Sequence, residues 1–524
     1  MPGMSSVVRN AASESVPAPR PDRSSRRTGR PAWWRDERWW LAGVCALFAT
    51  VSLVLVHPTL ALGWDELVYA SRFGPHGPDT PFSAPRTRGV PALIAPVAAL
   101  TDSVVLLRCY LTVAAALALY LGYLPWLEAV GRRGVVTLAA GLYGSLWIGL
   151  FYAGAAMPNH YVATGLAGAV GCFLARPARR GTLVALGASF ALVTLMRPND
   201  AVWPGLVLLL AAAWDGRRRR DRHPDGEAPA GPTPTGEAAT GRVLAVVGGV
   251  AAGLLPWVAE AVIRFGGVLE RLHAASEIQG GMSLRLSFDT LRAHAAALDG
   301  PLLCRPCDGA SVEWINVGWW LLVPPLVGLG LYAARRRGRT ALGLLPTAAA
   351  LAVAVPYLFL MGYAAPRFLL PAYALLAPVA ALGIRQAAQW ARRTRCAAAL
   401  LCAGAALALL HLGVQIQQVD VQYGIQKAAR QDWQRIARVL HAHGVRPPCA
   451  LDGNKAAIPI AHTAGCRAEP ARTPDALVLR RVPLPGWAAQ AGWRTYPVRH
   501  TYSGHWYVAV PVRAALAAPG QAVP

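Results

Sequence analysis

Two adjacent carboxylates, Asp65 and Glu66, stand just after the first long apolar run, in Gly63-Trp64-Asp65-Glu66-Leu67-Val68-Tyr69-Ala70-Ser71-Arg72-Phe73. Ionisable groups beside hydrocarbon are costly and tend to mark function. A carboxylate there can take the proton of an attacking hydroxyl, provided it reaches it within hydrogen-bond distance. Its bland alternative is a place at a helix N-terminus, where negative charge complements the helix dipole. Further along, Arg86 and Arg88 occur in Pro85-Arg86-Thr87-Arg88-Gly89. Guanidinium groups can grip a phosphate bidentately. The same arginines can instead pair with lipid head groups or with Asp65, Glu66 and Asp79.

Three other polar segments interrupt apolar sequence. Asn159-His160 opens the fourth apolar stretch, and Met196-Arg197-Pro198-Asn199-Asp200 joins the fifth to the sixth. Ala365-Pro366-Arg367-Phe368-Leu369-Leu370-Pro371-Ala372-Tyr373 opens the tenth. Each could be an ordinary loop, and a lone histidine is more often structural than catalytic. The threading below gives them one depth and one face, so Asp65, Glu66, Arg86, Arg88, His160, Arg197, Asp200 and Arg367 are expected to line one outward-facing cavity.

The elements that must position these groups are membrane helices. Of the 524 residues, 54% are hydrophobic and only 15% charged, against about a quarter charged in soluble proteins. Stretches of about twenty apolar residues can cross a bilayer. They fall at 41–62, 103–124, 135–156, 161–175, 182–196, 201–214, 243–263, 314–334, 341–364, 368–384 and 396–416. The fourth, fifth and sixth are short for the task, which implies tilt, extension or burial among other helices. The first follows a basic tail, exceeds a signal-peptide core and lacks a convincing cleavage site, so it reads as an uncleaved anchor.

The formal charge of +24 would suggest nucleic acid in a soluble chain. Here arginines crowd short loops instead, as the positive-inside rule expects, and no nucleic-acid partner follows. The clusters Arg20–Arg30, Arg132–Arg133, Arg176–Arg180, Arg217–Arg220, Arg335–Arg339 and Arg385–Arg395 all fall on one side of an eleven-helix threading. That side is cytoplasmic. The expected organisation is a disordered basic cytoplasmic tail (1–40), a transmembrane domain (41–416) and an extracytoplasmic C-terminal domain (417–524). Within the transmembrane domain, 63–102 and 264–313 are outer loops and 215–242 is a cytoplasmic linker.

Residues 90–100, apolar but too short to span, suit an interfacial helix. The C-terminal segment reads as a small α/β domain, with an amphipathic helix over 421–443 and strands at 450–451, 476–479 and 506–510. Cys304 with Cys307, and Cys449 with Cys466, lie on the outer side, where disulfides persist. A CxxC also serves redox or zinc chemistry, but no second CxxC or histidine pair stands nearby.

An acidic pair in the first outer loop, amphipathic segments before the second helix and an outward C-terminal domain resemble the GT-C superfamily of integral membrane glycosyltransferases. That superfamily includes protein O-mannosyltransferases, aminoarabinose transferases and arabinosyltransferases. Gly63-Trp64-Asp65-Glu66 is similar to its acidic first-loop motif, and Pro366-Arg367-Phe368-Leu369-Leu370-Pro371 to a PRYLLP-like segment of its bacterial members. The resemblance spans about 41–416 and implies an all-α polytopic GT-C-like fold in the cell membrane. It implies a polyprenyl-phosphate-sugar donor and a cell-envelope glycan, lipid or protein acceptor, with inversion at the anomeric carbon. Asp65 is then the first choice of base and Glu66 the second, with Arg86, Arg88, Arg197 and Arg367 facing the phosphate. A second acidic motif is less plain, with Asp200 and Asp102 nearest to it. No metal-ligand spacing predicts a metal, although a divalent cation on the carboxylates stays open. Two other readings compete, a transporter or flippase of lipid-linked substrates and a non-catalytic membrane scaffold.

Overall fold

The computed structural model describes residues 36–131, 134–176, 179–222, 235–281, 283–284, 288–300, 302–305, 312–468 and 474–512. The N-terminal arginines, Arg132, Arg133 and Cys307 lie outside them.

The chain opens with α1 (Glu37–Leu55), the short α2 (Trp64–Ala70) and α3 (Gly89–Ala98), then α4 (Val104–Val130). Next come α5 (Val135–Gly144), α6 (Trp147–Tyr152), α7 (Asn159–Leu174), α8 (Arg180–Met196) and α9 (Pro198–Arg222). The second half holds α10 (Thr235–Phe265), α11 (Val268–Ile278), α12 (Phe288–Asp299), α13 (Trp314–Val317), α14 (Val323–Arg336), α15 (Ala341–Phe359), α16 (Leu370–Ala391) and α17 (Ala397–Ala442). Among the described residues, seven helices are long and apolar enough to cross a membrane. They correspond to seven of the eleven expected spans, and the chain is a multi-pass membrane protein. The other four stretches form helices of different kinds.

The stretch 135–156 is broken, not continuous. Helix α5 ends at Gly144, and α6 restarts at Trp147, whose backbone N–H donates to Gln415 Oε1 of α17 at 2.8 Å. A side chain from a neighbouring helix thus satisfies the donor that the interruption releases.

Helix α7 has 16 residues, or about 24 Å of helix, short of a hydrocarbon core of about 30 Å. Every residue from Asn159 to Phe173 is buried. Its surroundings are protein, so it has no lipid thickness to match. Trp126 Nε1 of α4 donates to the Ala167 carbonyl at 2.8 Å, which pins the two helices together. Helix α8 also falls short, with 17 residues, and it packs closely on α10. A Cβ at Gly249 would stand 2.3 Å from the Gly187 carbonyl oxygen, and one at Gly253 2.4 Å from that of Ala191. This spacing of small residues lets membrane helices touch backbone to backbone. Helix α9 runs on to Arg222 and α10 begins at Thr235. The linker expected over 215–242 is therefore helical at both ends, because each flank continues a membrane helix.

Helix α17 has 46 residues, about 69 Å at 1.5 Å per residue. It carries the last span without a break into the amphipathic stretch 421–443, where the sequence suggested separate elements. Beyond it lie β1 (Ala450–Gly453), α18 (Ala457–Thr463), β2 (Arg467–Ala468), β3 (Ala476–Arg480), α19 (Gly486–Gln490), β4 (Arg494–Val498) and β5 (Trp506–Val510). The sheet order is β2-β1-β3-β5-β4, with β1 parallel to β2 and β3, and with β5 antiparallel to β3 and β4. One face packs Val478, Trp506 and Val508 against Ile436 and Leu440 of α17, and the other packs Leu477 and Leu479 against Ala488 of α19. Covered on both faces, β3 reads as a continuous apolar run. Cys449 and Cys466 form a disulfide beside β1 and β2. Cys304 is also disulfide-bonded.

Candidate active site

Helix α2 presents the acidic pair. Glu66 is its third residue and reaches back to accept the Gly63 N–H at 2.6 Å, as a glutamate at this position of a helix start commonly does. Arg108, one turn into α4, grips it bidentately, with Nη1–Oε1 and Nη2–Oε2 both 3.0 Å. The Ala156 N–H donates to Oε1 at 3.0 Å, and Arg430 of α17 stands 3.9 Å from Oε2. Arg108 spends its remaining donors on the carbonyls of Leu60, Ala61 and Gly154. Arg430 Nε adds a second bond to the Ala61 carbonyl at 2.6 Å. The Glu66 side chain is 6% exposed, and the four donors bonded to it occupy its acceptor positions. Burial pushes this carboxyl up, but the Arg108 and Arg430 charges and the Gly63 N–H outweigh burial and hold it below the usual range. The expectation that Glu66 shares the role of base meets this geometry: it ties the start of α2 to α4 and α17 and does not line an opening.

Asp65 turns the other way, because successive helical residues diverge by about 100°. Its side chain is 36% exposed, and it accepts from Arg86 Nη2 at 2.8 Å. Its second oxygen lies 3.4 Å from Arg367 Nη2. Arg367 comes from the turn before α16 and also donates to Tyr152 Oη at 3.2 Å and to the Leu302 carbonyl at 2.9 Å. Asn159 fixes the Arg367 backbone, donating to its carbonyl at 3.2 Å.

Arg197 belongs to the same cluster. Its guanidinium packs over the rings of Tyr357 and Phe368, and its Nε lies 3.4 Å from Asp200 Oδ2. The Tyr357 hydroxyl donates to the other Asp200 oxygen. Burial pushes the Tyr69 phenol on α2 up to about 12, while Arg86, Arg197 and Arg367 act against that rise and Asp65 adds to it. Tyr363 is likewise raised by burial, with Arg197, Arg305 and Arg367 opposing and Asp65 reinforcing. Two tyrosines thus sit in the joint field of Asp65, Arg197 and Arg367. Three arginines here face Asp65 and the already buried Asp200, and the surplus charge suits an anion.

Arg88 and His160 sit elsewhere. Arg88 bonds Glu260 of α10, with Nε–Oε1 at 3.0 Å, and stacks on Phe82. His160 is buried in the helix core, with Nδ1 3.1 Å from Tyr143 Oη, Nε2 2.9 Å from the Ala115 carbonyl and its ring stacked on Phe48. Its place in α7 points it at α4 and α5, away from Asp65, and its neighbour Asn159 serves the site instead. Among the described residues, no group of three or more His, Cys, Asp or Glu gathers as metal ligands do.

Several residues that build the site carried no motif. Arg271 of α11 is fully buried and donates to the carbonyls of Ala84 at 3.1 Å, Arg86 at 2.8 Å and Trp257 at 2.7 Å, and to Glu260 Oε2 at 3.0 Å. It thereby fixes the backbone that bears Arg86. The Thr87 hydroxyl donates to the Met196 carbonyl at 2.8 Å, which brings Arg86 and Arg197 together. Arg108 and Glu260 did leave a trace in the sequence, since each is a charge inside an apolar span. Arg271 and Arg430 lie in polar segments and left none.

The structure of ArnT from Cupriavidus metallidurans bound to undecaprenyl phosphate aligns with 92% of this chain and 99% of its own, at TM-score 0.55 and 16% identity. ArnT in the apo state aligns over the same shares at TM-score 0.52. The chain has the ArnT fold. It is the fold that the GT-C resemblance implied. An Archaeoglobus fulgidus oligosaccharyltransferase tethered to an acceptor peptide aligns with 83% of this chain and 64% of its own at 13% identity, but its TM-score of 0.48 adds nothing to the assignment. No protein-family model and no curated protein sequence matches the chain.

Proposed function

We propose that the protein is a membrane glycosyltransferase that moves a sugar from a polyprenyl-phosphate donor to an acceptor hydroxyl on the extracytoplasmic face. The observation that carries this reading is Asp65, a partly exposed carboxylate held between Arg86 and Arg367. The ArnT fold, seen with undecaprenyl phosphate bound in one of the aligned structures, supports a lipid-phosphate donor. In this reading the acceptor O–H gives its proton to Asp65 as the oxygen bonds to the anomeric carbon. The bond from that carbon to the phosphate oxygen breaks with inversion, and the electron pair leaves on the lipid phosphate. Arg86 and Arg367 then shift contact from Asp65 to the leaving phosphate, and Arg197 adds to its field. Such contacts strengthen as charge develops, which accelerates the step. Glu66 positions α2 and takes no proton.

The division into a transmembrane domain to 416 and an outer C-terminal domain is part of the proposal, with α17 as the rigid connection. The test is transfer or donor hydrolysis by the purified full-length protein with a panel of polyprenyl-phosphate sugars. Turnover that Asp65→Asn removes from a folded protein supports the reading. Absence of both turnover and binding for every donor lipid would overturn it in favour of transport or scaffolding.

A further inference from the structure

The loops at one edge of the C-terminal sheet, where its strands start and stop, are rich in basic residues. Parallel β1 and β3 end, antiparallel β4 ends and β5 begins on one edge, since Arg480 and Val498 both stand opposite Trp506. All four non-glycine residues with positive φ among the described residues, Ala456, Arg481, His500 and His505, lie in the loops at this edge. Left-handed backbone is costly for such residues and collects at functional sites and ligand clamps. The Arg481 N–H donates to the His505 carbonyl at 3.2 Å, so two of them brace each other. Beside them is an open cleft of about 350 Å³ lined by Arg481, Val482, His505 and Tyr507. From residue 476 to the end, the sequence contains no Asp or Glu, and Arg480, Arg481 and Arg499 fall at this edge. Tyr502 is 61% and Val482 39% exposed there.

The height of this edge is fixed by Asp432. Buried on α17, it accepts from the backbone N–H groups of Tyr502 at 2.9 Å and Ser503 at 3.0 Å. Two residues before it, Arg430 bonds the Ala61 carbonyl, which Arg108 also holds from the first turn of α4. Ala61 lies past the end of α1 and is bonded to Arg108 near the start of α4, at the outer end of the first expected span (41–62), which we take as the membrane boundary. Two helical residues rise by about 3 Å. The 480–482 and 499–505 loops therefore stand at head-group level.

We infer that this edge is a binding site for anionic phospholipid head groups of the bilayer, with Arg481 and His505 contacting phosphate and Val482 and Tyr502 entering the interface. Clustered basic residues bind acidic lipid at about 1 kcal/mol each, and amphipathic aromatic rings favour the same zone. The site holds the C-terminal sheet against the membrane independently of any transfer reaction.

The test is hydrogen–deuterium exchange of the full-length protein in nanodiscs of phosphatidylcholine alone or with phosphatidylglycerol. Phosphatidylglycerol should slow exchange at 480–485 and 499–505 by roughly tenfold, the scale of one to two arginines at an acidic surface. Arg481→Ala combined with His505→Ala should remove that difference while exchange in α7 stays unchanged, which reports an intact fold. Equal exchange in both bilayers overturns the proposal. So does equal slowing by inorganic phosphate in phosphatidylcholine alone, which would assign the cleft to a soluble phosphorylated ligand.

Discussion

Around Glu66, donors from the α2 start, α4 and the segment before α7 close on a carboxylate sealed from solvent. Around Asp65, one residue earlier, two guanidiniums approach and a third of the side chain stays open. Glu260 repeats the first pattern at the far end of the same loop, where it binds Arg88, Arg264 and Arg271. Two saturated acids thus pin the loop from 60 to 88 at both ends, and the unsaturated one, next to the first, stays partly open. Buried ion pairs add little net stability but are expensive to break from one side. They serve here as fixed points, whereas Asp65, the acid that the proposed transfer would use, keeps part of its side chain open.

The largest effect that separates the two carboxylates is on rate. Asp65→Asn should lower transfer by roughly 10²–10⁴-fold, the range for loss of a general base, and leave the melting temperature near that of the wild type. Single-turnover kinetics with a polyprenyl-phosphate sugar measures the first, and a thermal melt in detergent the second. A slow but unstable Asp65→Asn protein would erase the distinction drawn between the two acids.

Glu66→Gln should act in the opposite sense. It leaves Arg108 buried beside a neutral partner and should cost about 3–5 kcal/mol of stability. Replacing Glu66 and Arg108 together with Met should cost no less than either single change, because the backbone groups of Leu60, Gly63, Gly154 and Ala156 then lose their partners as well. The pH dependence follows from the same pair. Because the Glu66 carboxyl is held below its usual range in the fold, its contribution is complete above the unfolded value of about 4.3. It is lost as pH falls through the folded value. Wild-type melting temperature should therefore drop below about pH 4 more steeply than that of Glu66→Gln. Parallel acid limbs would show that this pair does not anchor the loop.

How much of this was legible depends on what the residues had to satisfy. The apolar runs announced the membrane helices because hydrocarbon admits little else. The strands β1, β3 and β5 showed as short apolar clusters, whereas two-residue β2 and half-exposed β4 had no pattern to show. Asp65 and Arg367 stood out as charges at apolar boundaries, and they do meet. His160 stood out equally, yet its bonds to Tyr143 and Ala115 are packing within α7's surroundings, a matter of helix rotation that one sequence does not encode. The break at Gly144 depends on Gln415, far away in the chain. The roles of Glu66 and Arg271 likewise rest on partners brought from distant helices.

Arg271→Met tests whether the Glu260 node positions the reacting groups. Without Arg271 the carbonyls of Ala84 and Arg86 lose their shared donor, and Arg86 should drift from Asp65. A displacement of about 1 Å can cost roughly 10²-fold in rate. The loss should appear in kcat with little change in the affinity for donor lipid, measured by direct binding. A purely structural role would lower the folded fraction and leave kcat per folded molecule untouched.

The smallest effect is expected at Arg88, and it bounds the site. Its side chain is 34% exposed, and Glu260 keeps Arg271 and Arg264 when it is removed. A partly exposed ion pair contributes about 0–1 kcal/mol, so Arg88→Gln should change transfer by no more than roughly fivefold. Sequence spacing gave Arg86 and Arg88 equal claims on the phosphate. The structure separates them, since Arg86 faces Asp65 and Arg88 faces Glu260. A 100-fold loss in Arg88→Gln with unchanged melting would put substrate against the Glu260 node as well. The reacting region would then extend past Asp65, Arg86 and Arg367 to the Glu260 end of the loop, and the contrast between the saturated acids and the open one would fail.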